Sequence, residues 1–152
     1  MSPRISLGLI AAASLAAAPG LAGESQHFEI EAAFEPAARP GADAYVAVRF
    51  AALDPDVNLN EVPAPRLRLD DAQKLLSAKA EKTPPPPPPA KDEAPRYHDL
   101  SEPVRFPVEL SADAPEGIHG VAADVIYFYC STSQGWCRRG TEPVTIPILI
   151  SR

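Results

Sequence analysis

Val125-Ile126-Tyr127-Phe128-Tyr129-Cys130-Ser131-Thr132-Ser133-Gln134-Gly135-Trp136-Cys137-Arg138-Arg139 is the stretch whose reading decides the fold. It opens as a β-branched and aromatic run, the composition of a strand. It ends on the second of only two cysteines in the chain, followed by two arginines. Six residues separate Cys130 from Cys137, and Gly135 lies among them. Residues 144–150 then alternate, with Val144, Ile146, Ile148 and Ile150 on one face. The pattern predicts a hairpin whose tip carries a cysteine pair.

Working outward, residues 118–129 make the longest candidate strand, entered through the turn residues Ala114-Pro115-Glu116-Gly117. In residues 104–110, Val104, Phe106, Val108 and Leu110 alternate with polar partners and are expected inward. Pro107 and Pro147 lack an amide hydrogen for the ladder, so each argues for an edge position. Near the start, Phe28, Ile30 and Ala32 alternate with His27, Glu29 and Glu31. In residues 44–53, Val46, Val48, Phe50 and Ala52 form the expected core face, opposite Tyr45, Ala47, Arg49 and Ala51. Residues 54–65 read as a loop that continues in extended form, and Arg66-Leu67-Arg68-Leu69 alternates with its leucines inward. Residues 70–82 carry Leu75, Leu76, Ala78 and Ala80 among lysines. They suit a short helix capped by Asp70 or Asp71, or equally a strand followed by a surface loop. About seven short strands with turn signals and almost no helix predict an all-β, antiparallel β-sandwich of immunoglobulin-like type.

The N-terminus has a different character. Met1 to Arg4 carries one positive charge, residues 5–18 are apolar or small, and Pro19-Gly20-Leu21-Ala22 ends in small residues. This is the pattern of a secretory signal peptide over residues 1–22, cleaved after Ala22 or Gly23. The run is short for a membrane span, so no stable membrane insertion is expected after cleavage. Removal would leave residues 23–152 as a single domain with 13 basic and 20 acidic side chains, a net charge of about −7. The acidic balance argues against nucleic acid and anionic membrane surfaces as partners. Export places the chain in the periplasm or outside the cell, where disulfides persist, and an even cysteine count predicts that Cys130 and Cys137 pair with each other.

Residues 83–95 form a Pro-rich loop insert. Six consecutive prolines, Pro84 to Pro89, predict a polyproline II rod of roughly 19 Å. It reads as a stiff solvated loop inside one domain, since neither side holds enough strands to close a core.

Considered as chemistry alone, the cysteine pair leaves two readings open. One is a structural disulfide that is inert once formed, worth about 2–3 kcal/mol in the chain-entropy model. The other is an exchangeable bond: the pair stands at a loop tip, Arg138 and Arg139 would favour a thiolate on Cys137, and Tyr129 and Trp136 offer apolar surface for a partner. The spacing is not Cys-x-x-Cys. His27, His98 and His119 are isolated and lack ligand spacing, so no metal or other cofactor is expected. His27 and His98 read as solvated and His119 as a turn residue. Ser131, Thr132 and Ser133 lack a nucleophile elbow and are expected to hydrogen-bond the hairpin loop.

Residues 117–150 resemble the N-terminal immunoglobulin-like domain of the DsbD family of periplasmic thiol-disulfide interchange reductases. The resemblance lies in the glycine-led strand that climbs through aromatics to Cys130, the short loop with Gly135-Trp136 before Cys137, and the alternating strand that leaves. Phe106-Pro107-Val108-Glu109-Leu110 fits the strand before it. The resemblance implies a sandwich whose active cysteines, here Cys130 and Cys137, pass electrons between a thioredoxin-like or membrane thiol-disulfide protein and periplasmic clients. Tyr129, Trp136 and Arg138 would form the partner-docking surface. Two features depart from the family: the cysteine spacing is one residue longer, and Arg138-Arg139 replaces an aromatic and prolines. Tyr97-His98-Asp99-Leu100 is the candidate for the family's shielding cap loop.

Overall fold

The computed structural model describes residues 27–37, 43–79, 87–88, 90–91 and 93–151. The expected signal peptide and its cleavage site lie outside these residues, as does most of the Pro84–Pro89 run. The described residues form eight strands: β1 (Phe28–Glu35), β2 (Ala44–Ala52), β3 (Val57–Leu59), β4 (Arg66–Leu69), β5 (Leu76–Ala78), β6 (Val104–Leu110), β7 (Gly117–Ser131) and β8 (Trp136–Ile150). No helix occurs among them. Between Asp70 and Lys79 the strand alternative prevails over the helix. Asp70 opens a turn by accepting from the Ala72 N–H, and Gln73 Oε1 accepts from the Leu75 and Leu76 amides. Leu76 can then enter β5 and be buried.

The strands make two antiparallel sheets. One runs β1-β2-β6-β5; in the other, β7 is central. β8 pairs with β7 along its whole length, from Gly117↔Ile150 to Ser131↔Trp136. That fills one flank of β7. β4, opposite residues 123–126, and β3, opposite residues 129–131, therefore share the other flank end to end. Both sheets contribute to one buried cluster, including Val46, Val48 and Val108 from the first and Val121, Val125, Ile146 and Ile148 from the second.

The expected alternations are present in β1, most of β2, β4, β6 and the second half of β8. Three expectations need correction. Ala52, expected on the core face, is exposed at the end of β2, and Ala47 of the opposite face is buried. β8 begins at Trp136, not Val144, so the cysteines lie within the ladder of a long hairpin. Pro107 is on β6, an interior strand between β2 and β5. Its carbonyl accepts from the Lys79 N–H at 2.9 Å, so its nitrogen faces the same flank, just past the end of three-residue β5. The proline therefore forgoes only the reciprocal bond to the Lys79 carbonyl, at the very end of the β5 pairing. Pro147 does lie on an edge strand, because β8 pairs only with β7.

Aromatic rings fill the centre of the hairpin's inner face. Tyr127, fully buried, meets Phe28 and Phe50 edge-on with centroids 5.8 and 5.4 Å apart, a favoured ring geometry. Its cross-strand partner is Gly140. A Cβ built at Gly140 would lie 2.3 Å from Tyr127 Cζ, so the ring occupies space that only glycine leaves free.

Candidate functional site

The site is built on the period of the hairpin. Successive residues of a strand face opposite ways, and directly opposed residues face the same way. The odd-numbered β7 residues from Val121 to Ser131 are buried, together with Gly140, Ile146 and Ile148 of β8. Cys130 is one step out of phase with Tyr129, and it pairs directly with Cys137. Both cysteines therefore belong to the outer, solvent face, with Phe128 and Arg139 as the next pair along the same face.

The cysteines are joined in a disulfide with an S–S distance of 2.03 Å and a Cα separation of 4.0 Å, at the close approach of a non-hydrogen-bonded antiparallel pair. Their surroundings differ. Cys130 sits on the central strand between β3 and β8 and is only 5% exposed. Cys137 sits on the edge strand and is exposed. Asn58 of β3 is opposite Cys130. Continuing the register, the Asn60 N–H bonds the Phe128 carbonyl and Tyr97 bridges to Asn60. Tyr97, Asn60, Phe128 and Arg139 thus form the transverse row next to the disulfide.

The residues expected to dock a partner share one face of the hairpin, and it is not the face of the cysteines. Tyr129, Trp136 and Arg138 all belong to the inner face, behind the disulfide. Tyr129 is only 3% exposed and is not a surface residue. Its ring packs 5.9 Å from Trp136 and 5.5 Å from His27. Trp136 is partly exposed, donates through Nε1 to Gln134 at 2.8 Å, and carries the Arg138 guanidinium 4.6 Å above its ring, a cation–π contact. Of the two arginines, only Arg139 shares the face of Cys137.

The tip is tied down by a residue that sequence reasoning passed over. Residues 132–135 connect the strands; Gly135 takes φ 68° and its N–H bonds the Ser131 carbonyl at 3.0 Å, the left-handed geometry glycine permits. The Asp56 carboxylate, on the loop before β3, accepts from the hydroxyls of Ser131, Thr132 and Ser133 and from the Ser133 N–H at 3.1 Å. The Thr132 N–H returns a bond to the Asp56 carbonyl. The expected role of the three hydroxyls is thus met. Donation from Ser131 and Ser133 holds the Asp56 carboxyl below its usual 3.8; partial desolvation opposes this, and the Ser133 N–H and Thr132 hydroxyl reinforce it. Asp56 stands 75 positions before Ser131, and no local pattern joins them.

The histidines are not gathered around the cysteines. His27 is partly buried, 3.5 Å from Asp54, and so is not simply solvated. His98 is also partly buried beside β3; burial lowers its imidazole from the usual 6.5, with Glu61 acting weakly in the opposite direction. His119 is on β7, its Nε2 2.9 Å from the Pro115 carbonyl oxygen in the preceding turn. Among the described residues, no group of three or more His, Cys, Asp or Glu is placed to hold a metal ion.

The geometry offers one chemically distinctive feature: a cross-strand disulfide on the open face of a hairpin, with one sulfur-bearing residue exposed on an edge strand and the other enclosed on a central strand. Comparison of the chain with protein-family models, with curated proteins and with solved structures gave no match in any of the three.

Proposed function

We propose that this protein is an exported thiol-disulfide interchange domain, an immunoglobulin-like sandwich similar to the N-terminal domain of the DsbD family. The observation that carries the reading is the asymmetry of the pair: Cys137 is exposed on an edge strand and Cys130 is enclosed. An incoming donor thiolate attacks the accessible Sγ of Cys137. The Cys130–Cys137 bond breaks, and the Cys130 sulfur leaves as a thiolate. The donor's second thiol then attacks the mixed disulfide and releases Cys137. Two electrons pass to the domain, the donor becomes a disulfide, and the two protons lost by the donor thiols are balanced by those taken up on Cys130 and Cys137. Run backwards, the Cys137 thiolate attacks a client disulfide. Tyr97, the cap-loop candidate, supports this reading by lying in the row beside the disulfide.

A second reading, a non-catalytic binding module with a structural disulfide, is favoured by the Asp56 network, which holds the tip in one conformation. Thiol trapping of the Cys130–Cys137 pair in glutathione and dithiothreitol buffers separates the two. The interchange reading expects a potential in the range of redox carriers and capture of partners by Cys130→Ser as mixed disulfides on Cys137. A bond below about −300 mV, reduced only as the protein unfolds, would assign the pair to structure.

A further inference from the structure

Cys137 is followed by two exposed arginines, Arg138 and Arg139. Arg139 shares the outer face with Cys137, two residues along β8, about 7 Å away by strand rise. Arg138 is on the opposite face at the same edge, stacked on Trp136. Because β8 pairs only with β7, both stand where a partner reaches Cys137 from the open side. Neither forms an ion pair among the described residues, whereas Arg68 is bound to Asp124, Arg105 to Glu35 and Lys79 to Asp43. The carboxylate at the tip, Asp56, lies on the β3 side of β7 and is turned onto Ser131, Thr132 and Ser133. Glu142 of β8 has the phase of the inner face, opposite Val125. A chain of net charge −6 thus keeps, among its described residues, two arginines without an ion pair beside the exposed Cys137.

We infer that the redox partner is a thiol protein whose reactive cysteine lies within a carboxylate-bearing surface, which docks on Arg139 and Arg138 as its thiolate reaches Cys137. This rests on the interchange reading and adds the partner's charge. Complementary charge raises the encounter rate and suppresses wrong partners more than it deepens affinity. The arginines also favour the attacking thiolate near Cys137, and later the Cys137 thiolate itself.

The test uses small thiols of different charge as probes: anionic mercaptoethanesulfonate, neutral 2-mercaptoethanol and cationic cysteamine. Each is followed as it reduces the oxidised full chain, with a small neutral disulfide as reference for intrinsic reactivity. In each case RS⁻ bonds to one sulfur and the other leaves as thiolate. The expected result is a preference for the anionic over the cationic thiol beyond that of the reference. Arg139→Glu should lower that ratio about tenfold at 10 mM salt and Arg139→Gln about threefold, both differences closing toward 0.5 M. Circular dichroism and the thermal midpoint of Arg139→Gln check that the fold is retained. A ratio equal to the reference and unmoved by either substitution overturns the inference while leaving interchange intact. A rate that depends on the protein's own concentration assigns the surface to a second copy and also overturns it. Resistance to all three thiols until the protein unfolds removes the interchange reading and this inference together.

Discussion

The two faces of the β7–β8 hairpin obey different demands. Along the middle of the inner face positions are fixed by packing: Tyr127 lies over Gly140 and against Phe28 and Phe50, and Val121 faces Ile146. On the outer face the same strands carry Cys130–Cys137, Phe128 and Arg139, with Ile118 84% and Leu149 71% exposed at the far end. A side chain on the inner face answers to volume; one on the outer face answers to what approaches from solvent. Polar and reactive groups such as Cys137 and Arg139 can therefore stand on the outer face at little cost to the core.

The comparison breaks most severely at Tyr127. Tyr127→Ala is expected to destabilise by about 3–5 kcal/mol, read from the urea midpoint at constant slope. Removing the outer-face bond in a Cys130→Ala, Cys137→Ala variant is expected to cost about 2–3 kcal/mol while far-ultraviolet dichroism stays that of the native sheets; loss of the sheets would show that the outer face also specifies the fold. Gly140→Ala forces a Cβ into the Tyr127 ring and is expected to cost about 1–3 kcal/mol. The same change in a Tyr127→Ala background should cost much less, because the clash has gone. Additive costs would place the penalty in the backbone instead.

Asp56→Asn sharpens the contrast at the tip. It should leave core amides protected and hasten hydrogen exchange at residues 131–135, along with reduction of the disulfide. The smallest expected effect is that of pH. His98 is held below its usual 6.5 by burial, so protons bind the unfolded chain more readily. Stability is then complete above that value and falls as pH drops through it. Asp56 and Asp99, both held below 3.8, add a second decline as pH falls below that value. Urea midpoints from pH 8 to pH 3 should show both steps, and His98→Gln should remove the first only.

The alternation of apolar residues identified most strands and their core faces without any tertiary information, because period two is a local property of the backbone. Even the face of the cysteines was legible: Cys130 follows Tyr129, so the two must point opposite ways. By the same phase Tyr129, Trp136 and Arg138, expected as a docking surface with the disulfide, belong to the opposite face, while Arg139 shares the face of the cysteines. Residues 70–82 were less legible, since Leu75, Leu76 and Ala78 satisfy a short helix and a short strand alike. Pro107 misled because the edge rule considers the strand alone, whereas the shortness of β5 confines the loss to one bond at the end of its pairing.

The sequence by itself determined the strand-rich class, the inward faces and the hairpin with its cysteine pair, since each depends on neighbours a few residues apart. Tertiary structure alone decided that Asp56 grips the tip, that Tyr127 rests on Gly140, that Tyr97 lies beside the disulfide row and that Cys137 opens to solvent while Cys130 does not. These depend on register and on which strand is central. Register is set when two buried faces interlock over the whole sheet, and no short stretch of chain contains that information.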